Sequence, residues 1–290
     1  MIPQFIEFLK FEKRSSEHTV KSYGTDLEQF RQYLVFQFEI NKPEEAKSVM
    51  LRSWVVSLME EGISPISVNR KIASLRAYYS FLRKRKLIPE DPSKILVALK
   101  AQKKLPSFVD EEAMSSLFEE EMFDTDFSGI RDRLVMELFY GTGIRLSELI
   151  KIRIEDINIY GRTLRIHGKR GKERIVPLTS VLLELLPNYL SIRESASRFD
   201  ALIITDSGKE AYPMFIQRLV KKYLSLVTTL NKRSPHTIRH TFATHLLNRG
   251  ADLNAIKELL GHTNLAATQI YAHNTIEKLK KSHQDAHPKA

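Results

Sequence analysis

Apolar residues recur at helical spacing through the first hundred positions. Tyr23, Leu27, Phe30 and Leu34 follow one another at steps of four, three and four, the stripe of a single buried helix face. Trp54, Val55 and Leu58 mark a second helix. A third is better delimited, because Ser64 and Pro65 suit the N-cap and first helical position, and Val68, Ile72, Leu75, Tyr79 and Leu82 carry the stripe onward. Asn69, Arg70, Lys71, Arg76, Arg83 and Lys84 fall off that stripe and are expected on the helix's solvent-facing sides.

After Pro92 the segment ALKAQKKLPSFVD has no sustained period and mixes basic residues with Pro106, as a short extended linker does. The expected division is a helical domain over residues 1–100, a linker over 101–108 and a second domain over 109–290. Asp110 opens the second domain as a helix N-cap, with Glu111 and Glu112 in the first turn matching the helix dipole. The period then changes. TLRIHG and ERIVPL are short β-rich runs separated by KRGK, which predicts a hairpin with a basic tip containing Gly171. Later segments return to helix, so the fold class is mainly α with a small antiparallel β-sheet in the C-terminal domain.

Charge narrows the partners. The 290 residues include 45 Lys and Arg against 35 Asp and Glu, a formal net charge of +10, and each of the two parts is positive by five. An extended polyanion suits both, nucleic acid being the simplest. On that reading Asn69, Arg70, Lys71 and Arg76 become a candidate phosphate-tracking surface, while an ordinary solvated face accounts for the same residues. The chain has no cysteine, which excludes disulfides, thiolate metal sites and thiol catalysis, and fits a reducing compartment. The start MIPQFIEFLKFEK carries Glu7 and Glu12, unlike a signal peptide, and no apolar run reaches the length of a membrane span. These features predict a soluble, cytoplasmic protein without membrane contact.

Three segments hold candidate chemistry. In SPHTIRHTFATHLL, Ser234 and Pro235 start a helix, which puts His236, Arg239 and His240 on one face near its N-terminus, where free N–H groups favour an anionic phosphate. A capped surface helix with incidental His and Arg fits the same residues. In GTGIRLSEL, Gly141 and Gly143 stop a helix and Arg145 stands beside the next start, with Glu148 three residues on. A local salt bridge accounts for that pair; an arginine held by the carboxylate would also present its donor fork to a phosphate. In LLGHTNLAATQIYAH, Gly261 suits a helix C-cap, leaving His262 at a turn and Tyr271 near the end of a short helix. Tyrosine at a helix end is ordinarily packing; as a nucleophile it requires neutralisation of the attacked phosphate and protonation of the leaving oxygen, since a phenol of pKa about 10 is weak at neutral pH. No metal or nucleotide cofactor is expected: His240 and His245 lack the HExxH arrangement, GKRGKE lacks the spacing of a phosphate-binding loop, and His283 and His287 lie in a polar tail.

Taken in order, GTGIRLSEL, HGKRGKERIVPL and PHTIRHTFATHLLNRGADLNAIKELLGHTNLAATQIYAH resemble the tyrosine recombinase (phage integrase) family, with closest similarity to the bacterial Xer recombinases. The resemblance spans nearly the whole chain, and the ending HQDAHPKA is more similar to XerD than to XerC. It implies a helical SAM-like core-binding domain and a catalytic domain forming a DNA clamp. It also implies a catalytic set of Arg145, Lys169, His236, Arg239 and His262 around the nucleophile Tyr271, with Glu148 and His240 in support and Lys172 contacting DNA from the hairpin. Within that resemblance the partners are a double-stranded recombination site, a tetramer with itself or with a paralogous recombinase, and a septal, FtsK-like DNA translocase. Chromosome dimer resolution at cell division is the implied role. A mobile-element integrase, a type IB topoisomerase-like nicking and closing enzyme, and a DNA-binding regulator that never cleaves are the alternatives.

Overall fold

A computed structural model of the chain describes residues 1–100, 107–168, 171–196 and 199–261. It separates into two compact units, Met1–Lys104 and Leu105–Ala290.

The first unit is helical. Helix α1 (Ile2–Glu7) continues into a wider turn at Phe8–Glu12 and is followed by α2 (Glu17–Phe38), α3 (Ser48–Glu60) and α4 (Pro65–Lys84). Ser64 caps α4 by accepting from the Ser67 N–H, and Ser16 does the same for α2 from Thr19. The stripes meet in one core of Phe5, Leu27, Phe30, Leu34, Leu51, Trp54, Leu75, Tyr79 and Leu82, where the Phe30 and Trp54 rings lie 5.0 Å apart.

On α4, Lys71 does not take the solvent-facing position its spacing predicts. Lys71 is 7% exposed, on the inward side of the helix with Val68, Ile72 and Leu75. Its ammonium donates to Asp26 at 3.1 Å and to Gln29, and lies 5.6 Å from the Trp54 ring centre. A buried carboxylate drew it inward: Asp26, 1% exposed, also accepts from Arg70 and from the Ser74 hydroxyl at 2.7 Å. Asn69 and Arg76 fasten the chain after α4. The Asn69 amide donates to the Leu99 carbonyl at 2.9 Å and accepts from the Leu99 N–H at 2.7 Å, and Arg76 donates to the Leu96 carbonyl.

In the second unit, α6 (Phe127–Thr142) is the central rod, buried from Leu134 through Thr142. Helix α5 (Glu111–Leu117) and the short α7 (Leu146–Leu149) precede a sheet of β1 (Ile157–Asn158), β2 (Thr163–His167) and β3 (Glu173–Pro177). Both strand pairs are antiparallel, in the order β1-β2-β3, with Thr163 opposite Pro177 and His167 opposite Glu173. Four helices follow: α8 (Ser180–Ala196), α9 (Pro213–Val227), α10 (Pro235–Asn248) and α11 (Leu253–Leu260). The main core joins α6, the sheet, α8 and α9, and a smaller cluster of Phe242, Leu246, Ile256, Leu259 and Leu260 seals α10 to α11. Among the described residues no helix is long and apolar enough to cross a membrane.

Candidate active site

Of the glycines read as helix stops, Gly141 lies inside α6, whereas Gly143 and Gly261 end helices and also set how closely the elements pack. Gly143 closes α6 in the left-handed region, at φ 61°, and a Cβ there would lie 2.5 Å from the Phe242 ring and 2.9 Å from Leu260. The missing side chain lets α10 and the end of α11 close onto the turn before Arg145. Gly261 closes α11 in the same conformation, at φ 62°, with the Arg174 side chain 3.1 Å from where its Cβ would be.

Arg145 is the N-cap of α7, and Glu148 stands one turn along. The Glu148 carboxylate accepts from the Arg145 backbone N–H at 2.9 Å and from its guanidinium at 2.7 Å. From the opposite side Arg174 on β3 donates to both carboxylate oxygens, at 3.0 and 2.8 Å. Four donors therefore converge on two oxygens, the full acceptor capacity of a carboxylate. Burial by itself would raise the Glu148 pKa, but the hydrogen bonds from Arg174 and Arg145 outweigh it and hold the carboxyl at about 2.

Arg239 comes from the first turns of α10, whose N-terminus is capped by Ser234 accepting from Thr237. Its guanidinium is buried and donates to the Gly143 carbonyl at 2.6 Å and to the Leu260 carbonyl at 2.7 Å. Desolvation first, and the neighbouring Arg145 charge second, lower its pKa to about 10, so it remains cationic at neutral pH. Arg145 donates to the next carbonyl along, Gly261, at 3.3 Å. The two arginines, 94 positions apart in sequence, thus end on adjacent carbonyls. Each guanidinium has five N–H donors, so both keep capacity for the oxygens of an anion.

His236 is exposed on the same helix as Arg239, and His240 is half-buried one turn later. His245 is a core residue: its Nδ1 lies 3.0 Å from the Tyr140 hydroxyl, and burial lowers its pKa. The hairpin closes with the Gly168 N–H donating to the Lys172 carbonyl at 2.7 Å, and the Lys172 side chain is exposed in the turn. Lys169, His262 and Tyr271 lie outside the described residues, as do His283 and His287. Among the described residues no group of three or more His, Cys, Asp or Glu is placed to hold a metal ion.

Arg174 did not emerge from the sequence. It alternates with Val176 on the inward side of β3, while Ile175 faces out at 43% exposure. The available signal was the strand period, which puts residues 174 and 176 on one face; hydrophobicity alone favours burying Ile175.

The phage integrase family model matches residues 107–278, and the model of the phage integrase N-terminal SAM-like domain matches residues 2–86. The chain belongs to the phage integrase family. Tyrosine recombinase XerC of Chlorobaculum tepidum is 35% identical, the match covering 99% of this chain and 94% of the relative. XerC of Bacillus subtilis is 35% identical over 99% and 95%, and XerC of Listeria innocua 38% over 99% and 97%. These three relatives carry the XerC name. In fold, this tyrosine recombinase is similar to the XerH site-specific recombinase in a post-cleavage complex with palindromic difH substrate, with a TM-score of 0.72 and 23% identity over 97% of this chain and 84% of that one. This member of the family is therefore a site-specific DNA recombinase, an enzyme that breaks and rejoins DNA strands.

Proposed function

We propose that this recombinase cuts and rejoins a double-stranded recombination site through Tyr271, and that its role is Xer-type resolution of chromosome dimers. The observation that supports the reading most is the convergence of Arg145 and Arg239 on adjacent carbonyls at the end of α11. Preorganised arginines of this kind suit the charge of a pentacoordinate phosphorus, because their orientation is set before the phosphate arrives.

In the proposed reaction the Tyr271 oxygen attacks a backbone phosphate in line. A tyrosyl O–P bond forms, the P–O5′ bond breaks, and a 3′-phosphotyrosyl link and a free 5′-hydroxyl result. Arg145 and Arg239 stabilise the phosphoryl oxygens and His262 adds a hydrogen bond. Lys169 gives its proton to the leaving 5′ oxygen, while His236 accepts the phenolic proton. Attack by the 5′-hydroxyl of a partner strand reverses these steps, passing through a Holliday junction. The ester's free energy is kept throughout, and the chemistry consumes no ATP.

Residues 1–100 serve as the core-binding domain, residues 101–108 as the linker, and residues 109–290 as the catalytic domain with its C-terminal tail. Four protomers, identical or paired with a paralogue, assemble on two sites in the cytoplasm, with a septal translocase as activator. Arg70, Arg76 and Lys172, all exposed, and the half-buried Asn69 face DNA, whereas Lys71 is buried against Asp26. The XerC names of the relatives support the chromosomal role over a mobile-element role.

Nicked DNA carrying a candidate site, incubated with wild type and Tyr271→Phe, tests the nucleophile. The short cleaved fragment diffuses away, so a denaturant-resistant protein–DNA adduct should accumulate with wild type only. Binding without an adduct, on a site shown to be bound and with a partner protein supplied, would favour the non-cleaving regulator instead. Relaxation of supercoils without site-dependent exchange would favour the topoisomerase-like reading.

A further inference from the structure

The end of α11 is gripped by three arginines. Its last carbonyls and that of its cap residue each accept from a different arginine: Leu259 from the Arg174 Nε at 2.8 Å, Leu260 from Arg239 at 2.7 Å, and Gly261 from Arg145 at 3.3 Å. The three arginines come from β3, α10 and the start of α7. A helix C-terminus carries partial negative charge, so this end, together with Glu148, offsets a cluster of three guanidinium groups. Beyond Gly261 the chain runs directly into His262.

Within this arrangement Arg174 holds two things at once. Its two terminal nitrogens clamp Glu148, and its Nε holds Leu259. Glu148 in turn fixes Arg145 by both backbone and side chain. Arg174 is largely buried, with 15% of its side chain exposed, whereas the Arg145 side chain is 35% exposed. Each of its three guanidinium nitrogens donates inward, to a carboxylate or a helix end, a use that its planar fork permits and that the single point charge of a lysine does not.

We propose that Arg174 is a positioning residue for strand cleavage, setting the orientation of Arg145 through Glu148 and the seating of α11 through Leu259, without touching the phosphate. This rests on the recombinase reading above. Its consequence is a division of effects. Without Arg174 the site still has Arg145 and Arg239 to attract DNA, but the Glu148 carboxylate that holds Arg145 is no longer pinned from the far side. Misplacing a group that stabilises the transition state by about 1 Å costs on the order of a hundredfold in rate.

The test uses the full chain and the nicked site, with site affinity and the first-order rate of adduct formation at saturating protein measured separately. For Arg174→Lys we expect affinity within about threefold of wild type and a rate roughly ten- to a hundredfold lower. A residue that only balances charge in the fold would be rescued by lysine, so a wild-type rate in Arg174→Lys would overturn the proposal. Glu148→Gln and the double variant complete the cycle. If Arg174 acts through Glu148, the double variant is no slower than the slower single one; multiplicative losses would overturn that route. Wild-type protein that binds the site but forms no adduct, with a partner protein supplied, would overturn the recombinase reading and this inference with it. An adduct with wild type and an equal rate in Arg174→Lys would overturn this inference alone.

Discussion

Replacing Glu148 by Gln should destabilise the catalytic unit by roughly 3 kcal/mol at neutral pH. The carboxyl titrates at about 2 in the folded protein instead of at 4.5, and at about 1.4 kcal/mol per pKa unit that difference amounts to roughly 3 kcal/mol of folding free energy. Glu148 is 5% exposed, so solvent screening takes little from the figure. Gln keeps the shape but replaces one acceptor with an NH2 group, which would face two N–H donors from Arg145 and Arg174. Because the folded-state pKa is depressed, the stabilisation is fully present above the unfolded value near 4.5 and is lost as pH falls from there towards 2. The gap between wild type and Glu148→Gln should therefore be wide at pH 7 and narrow steadily below pH 4.5. Urea unfolding followed by far-ultraviolet circular dichroism measures it, and with a slope of about 2 kcal/mol per molar the midpoint should fall by roughly 1.5 M. Trp54, the chain's one tryptophan, belongs to the first unit, so its fluorescence transition provides an internal control that should not move. A loss under about 0.5 kcal/mol, or a gap that stays constant through the acid range, would refute the reasoning.

Asp26→Ala should cost about 3–5 kcal/mol in the first unit, because it strands the buried Lys71 ammonium; here the Trp54 fluorescence transition in urea should shift, while the second unit's transition stays in place. Gly143→Ala should cost at least about 2 kcal/mol, combining a left-handed backbone with a Cβ 2.5 Å from Phe242. Thermal unfolding reads that loss, and adduct formation on nicked DNA should fall with it, since Arg239 is anchored on the Gly143 carbonyl.

Local rules in the sequence determined the helices and much of their ends. Ser64 and Pro65, Ser234 and Pro235, and the glycines at 143 and 261 act within a few residues of themselves, through capping hydrogen bonds and a backbone conformation that favours glycine. The hairpin was legible for the same reason, as was the family, whose residues recur in fixed order along the chain. Which charged side chains face inward was decided by tertiary structure. Lys71 looked like any cation off an apolar stripe until Asp26, 45 positions away, drew it into the core. Arg174 was one polar position in a short β-rich run until Glu148 and Leu259, from two other elements, took up its donors. A one-dimensional pattern records how often apolar residues recur, but the fate of a charge depends on its counter-charge, and that partner is supplied only when distant segments close on one another.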